Sequence, residues 1–270
     1  PDDVLIITPI NEVSFMSWLG GDVRGTVPYC VGQGWEVKYG LMRAYIEGVA
    51  ALREADPTVR ILTTEPLLNI VPRPDADPAE VQHAREAHRN QFQSLDMLAG
   101  RICPELGGRP EYLDLLGFNF YYDNQWQLAP YQTLPWANEH HDPRFRPLSA
   151  LLAEAYGRYR RPLVLTETSH PGHDRPAWLR MVAAEAVQTL RAGVPLLGVC
   201  LYPIIDRPDW DHLTPWHRAG LWDADPAAAT PGLTRHLHQP SAEALADAQA
   251  QVARQLALQA PLVPLESLVL

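Results

Sequence analysis

Five short segments rich in apolar, β-forming residues recur along the chain and constrain its fold more than any other feature. Their bounds are residues 4–12, 59–67, 112–122, 162–169 and 195–206. Around them, apolar residues recur at intervals of three and four, as on one face of a helix, over residues 36–55, 81–102, 148–159, 179–190 and 241–258. Almost wholly apolar strands that alternate with helices predict a parallel sheet covered on both faces, so the fold class is α/β. The stretch from Phe15 to Trp35 has neither period and predicts a long loop.

Polar side chains follow each apolar segment at its C-terminal end. They are Asn11 with Glu12, Glu65, Asn119 with Tyr121, Glu167, and Tyr202 with Asp206. The active site of a (β/α)8 barrel is built from these ends, which converge on one mouth. No G-x-G-x-x-G follows any predicted strand, which disfavours an open dinucleotide-binding sheet. The pattern therefore predicts a TIM-type (β/α)8 barrel.

The number of strands falls short of a closed barrel. Five are recognisable in the sequence, whereas a (β/α)8 barrel has eight. The chain begins three residues before a predicted strand. We therefore expect strands 4 to 8 of a barrel, with the first three βα units absent or replaced by something else. The 270-residue length fits one partial barrel domain over residues 1–270.

Composition narrows the classes of partner. The net charge of −10, from 22 Lys and Arg against 32 Asp and Glu, disfavours a nucleic acid or an anionic membrane. Three cysteines, Cys30, Cys103 and Cys200, lack C-x-x-C spacing and predict neither a disulfide framework nor a zinc site. Cys200 lies in an apolar run and is expected to be buried. With no apolar run of about 18 residues and no signal-like N-terminus, we expect a soluble, cytoplasmic protein, with secretion left open.

Two carboxylates at strand ends point to a reaction type. Glu12 and Glu167 are 155 positions apart, but the ends of two barrel strands bring such residues to one ligand. Two carboxyl groups on either side of a glycosidic bond are the working parts of glycoside hydrolysis, one protonated and the other ionised. A single carboxylate at a strand end is equally explained as a helix cap or an ion-pair partner.

Four motifs in chain order resemble those of glycoside hydrolase family 1, the β-glucosidase-like retaining enzymes. Residues 8–13, T-P-I-N-E-V, are similar to the T-x-N-E-P motif of the fourth strand, with one extra residue and Val in place of Pro. Residues 117–121, G-F-N-F-Y, match the sixth-strand G-x-N-Y-Y motif with one Phe in place of Tyr. Residues 166–169, T-E-T-S, match only the first half of the seventh-strand T-E-N-G motif. Residues 202–210 loosely match W-S-L-L-D-N-F-E-W of the eighth strand, and residues 217–225 are similar to the segment that follows it.

The resemblance implies roles for these residues in a double displacement. Glu167 is the nucleophile, and Glu12 is the acid/base. Tyr121 donates a hydrogen bond to the nucleophile, Asn11 binds the sugar 2-hydroxyl, and Asn119 is a polar neighbour in the same subsite. A retaining mechanism predicts that the two carboxyl groups lie about 5 to 5.5 Å apart.

The resemblance also implies a sugar-binding surface. Tyr202 replaces the family's tryptophan beneath the sugar, and Asp209 and Trp210 stand where the family binds outer hydroxyls. To the substrate site we add Glu65, from its strand end, and His170, which lies three residues after Glu167. The implied partner is a small β-linked glycoside or oligosaccharide, and no cofactor is implied.

Two alternatives to a family 1 type β-glycosidase remain open. One is a catalytically silent carbohydrate-binding or scaffold barrel that has kept the carboxylates. The other is a different clan A β-glycanase, which acts within a longer chain in an open groove. His140, His141, His170, His212 and His217 invite a metal interpretation, but they lie in loops without ligand spacing and predict no metal site. The oligomeric state is not predicted.

Overall fold

The computed structural model describes residues 4–137, 142–208, 214, 216–225 and 234–259. The chain divides into two compact units, each described separately below. Unit 1 contains the described residues up to Phe145 together with Tyr159–Val164. Unit 2 contains Arg146–Arg158 and the described residues from Leu165 onward. The single domain expected over residues 1–270 stays a prediction.

The strands are β1 (Ile6–Ile7), β2 (Arg60–Pro66), β3 (Asn69–Val71), β4 (Leu115–Asn119), β5 (Gln125–Gln127), β6 (Gln132–Thr133), β7 (Leu163–Thr168), β8 (Leu196–Leu201), β9 (Arg207–Pro208), β10 (Trp216–His217), β11 (Trp222–Ala224) and β12 (Arg235–Leu237). The α-helices are α1 (Val13–Ser17), α2 (Gly34–Ala55), α3 (Pro78–Asn90), α4 (Gln93–Leu98), α5 (Leu148–Tyr159), α6 (Arg175–Arg191) and α7 (Gln239–Gln259). A π-helical turn spans Trp18–Asp22, and 3₁₀ turns span Pro104–Leu106, Pro110–Tyr112 and Gly172–Asp174.

The main sheet has five strands in the order β1-β2-β4-β7-β8, and the division between the two units falls within β7. In unit 1, β1 pairs in parallel with β2, and β2 pairs in parallel with β4. All five residues of β4 are buried, as expected for a strand covered on both faces. All five predicted strands of the sheet are present, although β1 has only two residues.

In α2 and α6 the predicted helical periods correspond to buried helix faces. In unit 1, α2 buries Met42, Tyr45, Ile46 and Val49. In unit 2, α6 packs against α7. The residues that α6 buries from its predicted period are Leu179, Val182, Ala183, Ala186, Val187 and Leu190. In α7 the predicted period does not mark a buried face, since Leu245, Ala248 and Val252 are half-buried and Leu256 is 50% exposed.

Two helix predictions differ from the structure. Residues 81–102 were expected to form one helix, but α3 ends at Asn90 and α4 begins at Gln93, since Phe92 leaves the helical region with φ −92° and ψ 1°. The long loop expected from Phe15 to Trp35 begins instead with the end of α1 and the π-helical turn. Both elements have five residues, too few for a helical period to be recognised.

The outer strands are more exposed than the sequence predicts. The segment that contains β1 was expected to be a buried strand, but Leu5 is 53% exposed and Ile6 is 42% exposed. Cys200, expected to be buried, is exposed on β8. The physical reason is position, because among the described strands β1 and β8 are the first and last of the sheet. An apolar run predicts a strand but not how many neighbours cover it.

One buried side-chain hydrogen bond fixes β7 against α6 in unit 2. Trp178 Nε1 donates to Thr168 Oγ1 at 2.8 Å, and both side chains are fully buried. We expect Thr168→Val to lower the free energy of unfolding by about 1–3 kcal/mol, because the indole N–H loses its acceptor. Urea unfolding measures this loss. Thr168→Ser, which keeps the hydroxyl, is the control and should lose less, whereas a Thr168→Val variant as stable as the parent would contradict the role of this bond.

Candidate active site

The predicted site residues are divided between the two units. Unit 1 contains Asn11, Glu12, Glu65, Asn119 and Tyr121. Unit 2 contains Glu167, His170 and Tyr202. Asp209 and Trp210 lie outside the described residues. The pairing of Glu12 with Glu167, including their predicted separation, stays a prediction.

Glu12 lies on a strained turn between β1 and α1. Its φ of 50° and ψ of 57° are left-handed, a conformation that costs a residue with a side chain about 1–2 kcal/mol. The Glu12 N–H donates to the Thr64 carbonyl oxygen at 2.8 Å. The Met16 N–H donates to the Glu12 carbonyl oxygen at 2.8 Å and begins α1. The backbone of Glu12 is thus held on both sides.

The Glu12 side chain is directed towards the end of β4. Asn119 Nδ2 donates to Glu12 Oε1 at 2.9 Å. Asn119 is fully buried, while Glu12 is half-buried. A buried amide with few rotamers open to it is a good orienting group for a carboxyl group. The structure therefore brings two of the predicted site residues into direct contact, although 107 positions separate them.

Asn11 and Tyr121 flank this pair in sequence. Asn11 is exposed, and Tyr121 is half-buried. The Tyr121 N–H donates to Asn124 Oδ1 at 3.0 Å, and Asn124 Nδ2 donates to the Leu67 carbonyl oxygen at 3.2 Å. The chain after β4 is thereby tied to the chain after β2. Sequence reasoning did not single out Asn124, whose side chain makes these local bonds.

Glu65, at the end of β2, is deeply buried, with 3% of its surface exposed. Its Oε2 accepts a hydrogen bond from the Ser14 N–H at 3.2 Å. Burial raises the pKa of the Glu65 carboxyl, while the hydrogen bond from Ser14, the charge of Lys38 and the nearby Ser94 hydroxyl act in the opposite direction. The groups that face this carboxyl therefore come from α1, α2 and α4.

Lys38 is a second ionisable group in this cluster, half-buried, and sequence reasoning missed it. Burial lowers the pKa of its ammonium, while the charges of Glu65 and Asp22 act to raise it. Lys38 Nζ donates to Gln93 Oε1 at 2.9 Å. The available signal was compositional, because Lys38 is the only lysine in a chain with 21 arginines. The Tyr45 hydroxyl lies in the same cluster, where burial and Glu65 raise its pKa.

In unit 2, the direction of the Glu167 side chain follows from the alternation of side chains along β7. Successive residues of a strand point to opposite faces. Thr168 points towards α6, where it accepts from Trp178, so Glu167 points to the other face of the sheet. Glu167 is half-buried.

Tyr202 and His170 lie near the C-terminal end of β7. The Tyr202 N–H donates to the Thr168 carbonyl oxygen at 3.2 Å, and the ring is 36% exposed. The Arg207 guanidinium lies 5.8 Å from the centre of that ring. His170 Nδ1 lies 2.8 Å from the Pro171 carbonyl oxygen, and its ring is 5.8 Å from that of Trp178. His170 also lines a small cavity together with Ser169, Pro203 and Gly220.

Asp206 anchors the chain after β8. Its side chain is fully buried, and its carboxylate accepts from the Gly220 N–H at 3.0 Å, the Ala224 N–H at 3.3 Å and Arg218 Nη1 at 3.2 Å. Arg175 Nη1 lies 3.8 Å from Asp206 and donates to Asp223 at 2.7 Å. Asp206 was predicted to stand at the end of the fifth strand with Tyr202. The structure places it five residues after Leu201, the last residue of β8.

The described residues contain no group of three or more His, Cys, Asp or Glu side chains placed to hold a metal ion. His140, His141 and His212 lie outside the described part of the chain. Of the helices in the described ranges, none has the length and apolar character needed to cross a membrane.

The raised pKa of Glu65 predicts a pH-dependent stability. Below its ordinary value of 4.5, the carboxyl is protonated in both the folded and the unfolded chain. As the pH rises through the raised folded value, the folded state loses stability relative to the unfolded state. We therefore expect the parent to lose stability relative to Glu65→Gln as the pH rises from 4.5 upwards. Urea unfolding of both proteins across this range is the measurement, and parallel stability curves would contradict the prediction.

The single lysine makes its charge state directly measurable. Because the negative charge of Glu65 acts to raise the pKa of Lys38, Glu65→Gln should lower that pKa further. Protein labelled with ¹³C-lysine gives one lysine side-chain signal, whose chemical shift can be followed against pH by NMR. Asp75→Asn is the control, since Asp75 is an exposed partner of Arg73 and should leave the Lys38 titration unchanged. An identical titration in Glu65→Gln and the parent would show that the two groups do not interact.

The described fold is similar to that of solved family 1 glycoside hydrolases. A β-glucosidase from Thermotoga maritima in complex with glucoimidazole is 15% identical with a TM-score of 0.68, and the match covers 93% of this chain and 63% of that one. A T. maritima family 1 glycoside hydrolase complexed with a cyclophellitol analogue transition state mimic is 15% identical with a TM-score of 0.67, covering 90% and 63%. The AHE enzyme from Alicyclobacillus herbarius is 18% identical with a TM-score of 0.70, covering 93% and 64%.

At the level of sequence, no protein-family model and no curated protein matches the chain. The chain spans a little under two thirds of the length of the structures that it matches. At this identity the similarity shows the fold alone. The predicted fold class is confirmed: the chain has part of the (β/α) barrel fold of the family 1 glycoside hydrolases, the family to which its motifs show a resemblance.

Proposed function

We propose that this protein is a retaining β-glycosidase of the β-glucosidase type, acting on small β-linked glycosides. The observation that carries the proposal is the Glu12 turn. There, a half-buried carboxyl group at the end of β1 accepts a hydrogen bond from the buried amide of Asn119 and has its backbone fixed by Thr64. The similarity of the fold to family 1 glycoside hydrolases supports the same reaction class.

The proposed mechanism is a double displacement. Glu167 attacks the anomeric carbon while Glu12 protonates the departing glycosidic oxygen, which gives a glycosyl-enzyme intermediate. Glu12, now ionised, then removes a proton from the water that attacks the anomeric carbon, and the sugar leaves with its configuration retained. Asn119 keeps the Glu12 carboxyl in one orientation throughout. Tyr121 is proposed to donate its hydroxyl hydrogen to Glu167.

The remaining predicted residues are proposed to bind the sugar. Asn11 is exposed and next to Glu12, where it can donate to the 2-hydroxyl, a hydrogen bond that strengthens in the transition state. The exposed ring of Tyr202 offers a flat apolar face for a pyranose. Asp209 and Trp210 are proposed to contact outer hydroxyl groups on the motif resemblance alone. His170 is proposed as a substrate-side group because it lies three residues after Glu167.

Removal of either carboxylate tests the proposal. We expect the parent to hydrolyse an aryl β-glucoside, and Glu12→Gln or Glu167→Gln to lower kcat/KM by about 10²-fold or more, as expected for the loss of a general acid or of the nucleophile. The assay is release of the aryl alcohol, with the anomer of the released sugar identified by NMR. Glu36→Gln, an exposed residue in the first turn of α2, is the control and should retain the parent rate.

The same assay distinguishes the alternatives. Release of the α-anomer first would contradict retention. Binding of glucosides without turnover would favour the silent carbohydrate-binding barrel, and turnover of long β-glucans in preference to aryl glucosides would favour another clan A β-glycanase. Turnover that survives both substitutions would exclude the proposed pair of carboxylates.

A further inference from the structure

A buried carboxylate at the end of β2 has no part in the proposed chemistry. Glu65 is 3% exposed, and burying a carboxyl group is unfavourable unless hydrogen bonds or charges compensate for the lost water. The groups that face it are Ser14 on α1, Lys38 and Tyr45 on α2, and Ser94 on α4. These partners come from three helices, so the carboxyl group is directed into the interior of unit 1. The reason for a carboxyl group at this position therefore lies in its contacts within unit 1.

The contact with α1 supplies that reason. The first N–H groups of a helix have no partner within the helix. The residue that precedes α1 is Glu12, whose side chain makes no capping hydrogen bond. Glu65 Oε2 instead accepts from the Ser14 N–H at 3.2 Å. Glu65 therefore caps α1 from a strand 51 positions away in sequence.

Two consecutive residues of β2 consequently hold the Glu12 turn. The Thr64 carbonyl oxygen accepts from the Glu12 N–H at 2.8 Å, and the Glu65 carboxyl accepts from the Ser14 N–H. A left-handed turn at a residue with a side chain persists only where its surroundings enforce it. Without the Glu65 contact, the first turn of α1 loses the only side-chain acceptor that is found for it in the described structure. Glu12 would then be free to relax towards an ordinary backbone conformation and away from Asn119.

We propose that Glu65 is a positioning residue for Glu12, which acts by holding the first turn of α1 so that the Glu12 carboxyl stays on Asn119. This assignment replaces the substrate-binding role predicted for Glu65, and it rests on the proposed function of Glu12 as the acid/base. Glu65 touches neither the substrate nor the reacting atoms. Lys38, on α2, compensates the buried charge of Glu65. Its ammonium donates a hydrogen bond to Gln93 on α4.

Two substitutions separate positioning from charge. Glu65→Leu removes the acceptor, whereas Glu65→Gln keeps an acceptor oxygen for the Ser14 N–H. We expect amide hydrogen exchange over residues 12–17 to become about 10- to 100-fold faster in Glu65→Leu, and to change by less than about threefold in Glu65→Gln. Glu65→Met, which is unbranched like Glu, replaces Glu65→Leu if that variant does not fold. Equal exchange in the parent and the acceptor-free variant would overturn the proposal.

Activity towards two substrates tests the effect on Glu12 itself. A substrate with a poor leaving group needs the acid, and a dinitrophenyl glucoside needs little help to depart. For Glu65→Leu we expect kcat/KM to fall by about 10²-fold on the poor leaving group, with a fall of less than about threefold on the activated one. Restored activity in Glu65→Gln would support positioning. An equal fall on both substrates would show general structural damage and would overturn the proposal.

The failures of the two proposals can be told apart. If the parent hydrolyses neither substrate, the proposed β-glycosidase function fails. Hydrogen exchange over residues 12–17 then decides alone whether Glu65 holds the Glu12 turn, because this measurement does not depend on catalysis. If the parent is active and Glu12→Gln is inactive, but Glu65→Leu behaves like the parent in both assays, the positioning role fails while the function stands.

Discussion

The parallel register of β1, β2 and β4 is the constraint on which the candidate site in unit 1 depends. Ile7 pairs with Ile61, and Pro66 pairs with Asn119, so the C-terminal ends of β2 and β4 lie side by side. A shift of one residue would turn every side chain of a strand to the opposite face. Such a shift would turn the buried amide of Asn119 to the other face of the sheet and away from Glu12. The contact between Asn119 and Glu12 is therefore a consequence of strand pairing.

The buried ionisable cluster adds a second constraint that packing does not explain. Burial opposes the charged forms of both Glu65 and Lys38, and each group partly relieves the other. Replacement of buried charged groups by apolar side chains is often neutral or even stabilising. The stability of unit 1 alone therefore gives little reason for a carboxyl group at position 65. Its geometry does, because Glu65 holds the first turn of α1 at the end of β2, while Lys38 joins α2 to Gln93 on α4.

The sequence predicts the regular part of the fold well and the site only in outline. Long periodic segments became α2, α6 and α7, and apolar runs became the five strands of the main sheet. The five-residue α1 was missed because its pattern is shorter than two helical turns. The contact between Glu65 and Ser14 joins residues 51 positions apart, and no local pattern encodes such a contact. Glu12 could be singled out as a candidate from its motif, but its left-handed backbone could not be predicted.

Strain and burial at one strand end bear on the choice between an enzyme and a silent scaffold. A scaffold needs only the sheet and its covering helices, and in it Glu12 would be free to adopt a relaxed turn and Glu65 could be replaced by an apolar residue. The structure instead keeps a left-handed Glu12 and a buried Glu65, each of which is unfavourable by itself. Strained backbone and buried ionisable groups cluster at active sites, where a side chain has to be held in an accurate position. Both features hold the Glu12 carboxyl in place. This supports a catalytic role for Glu12 over simple sugar binding, because sugar binding does not require an accurately positioned proton donor.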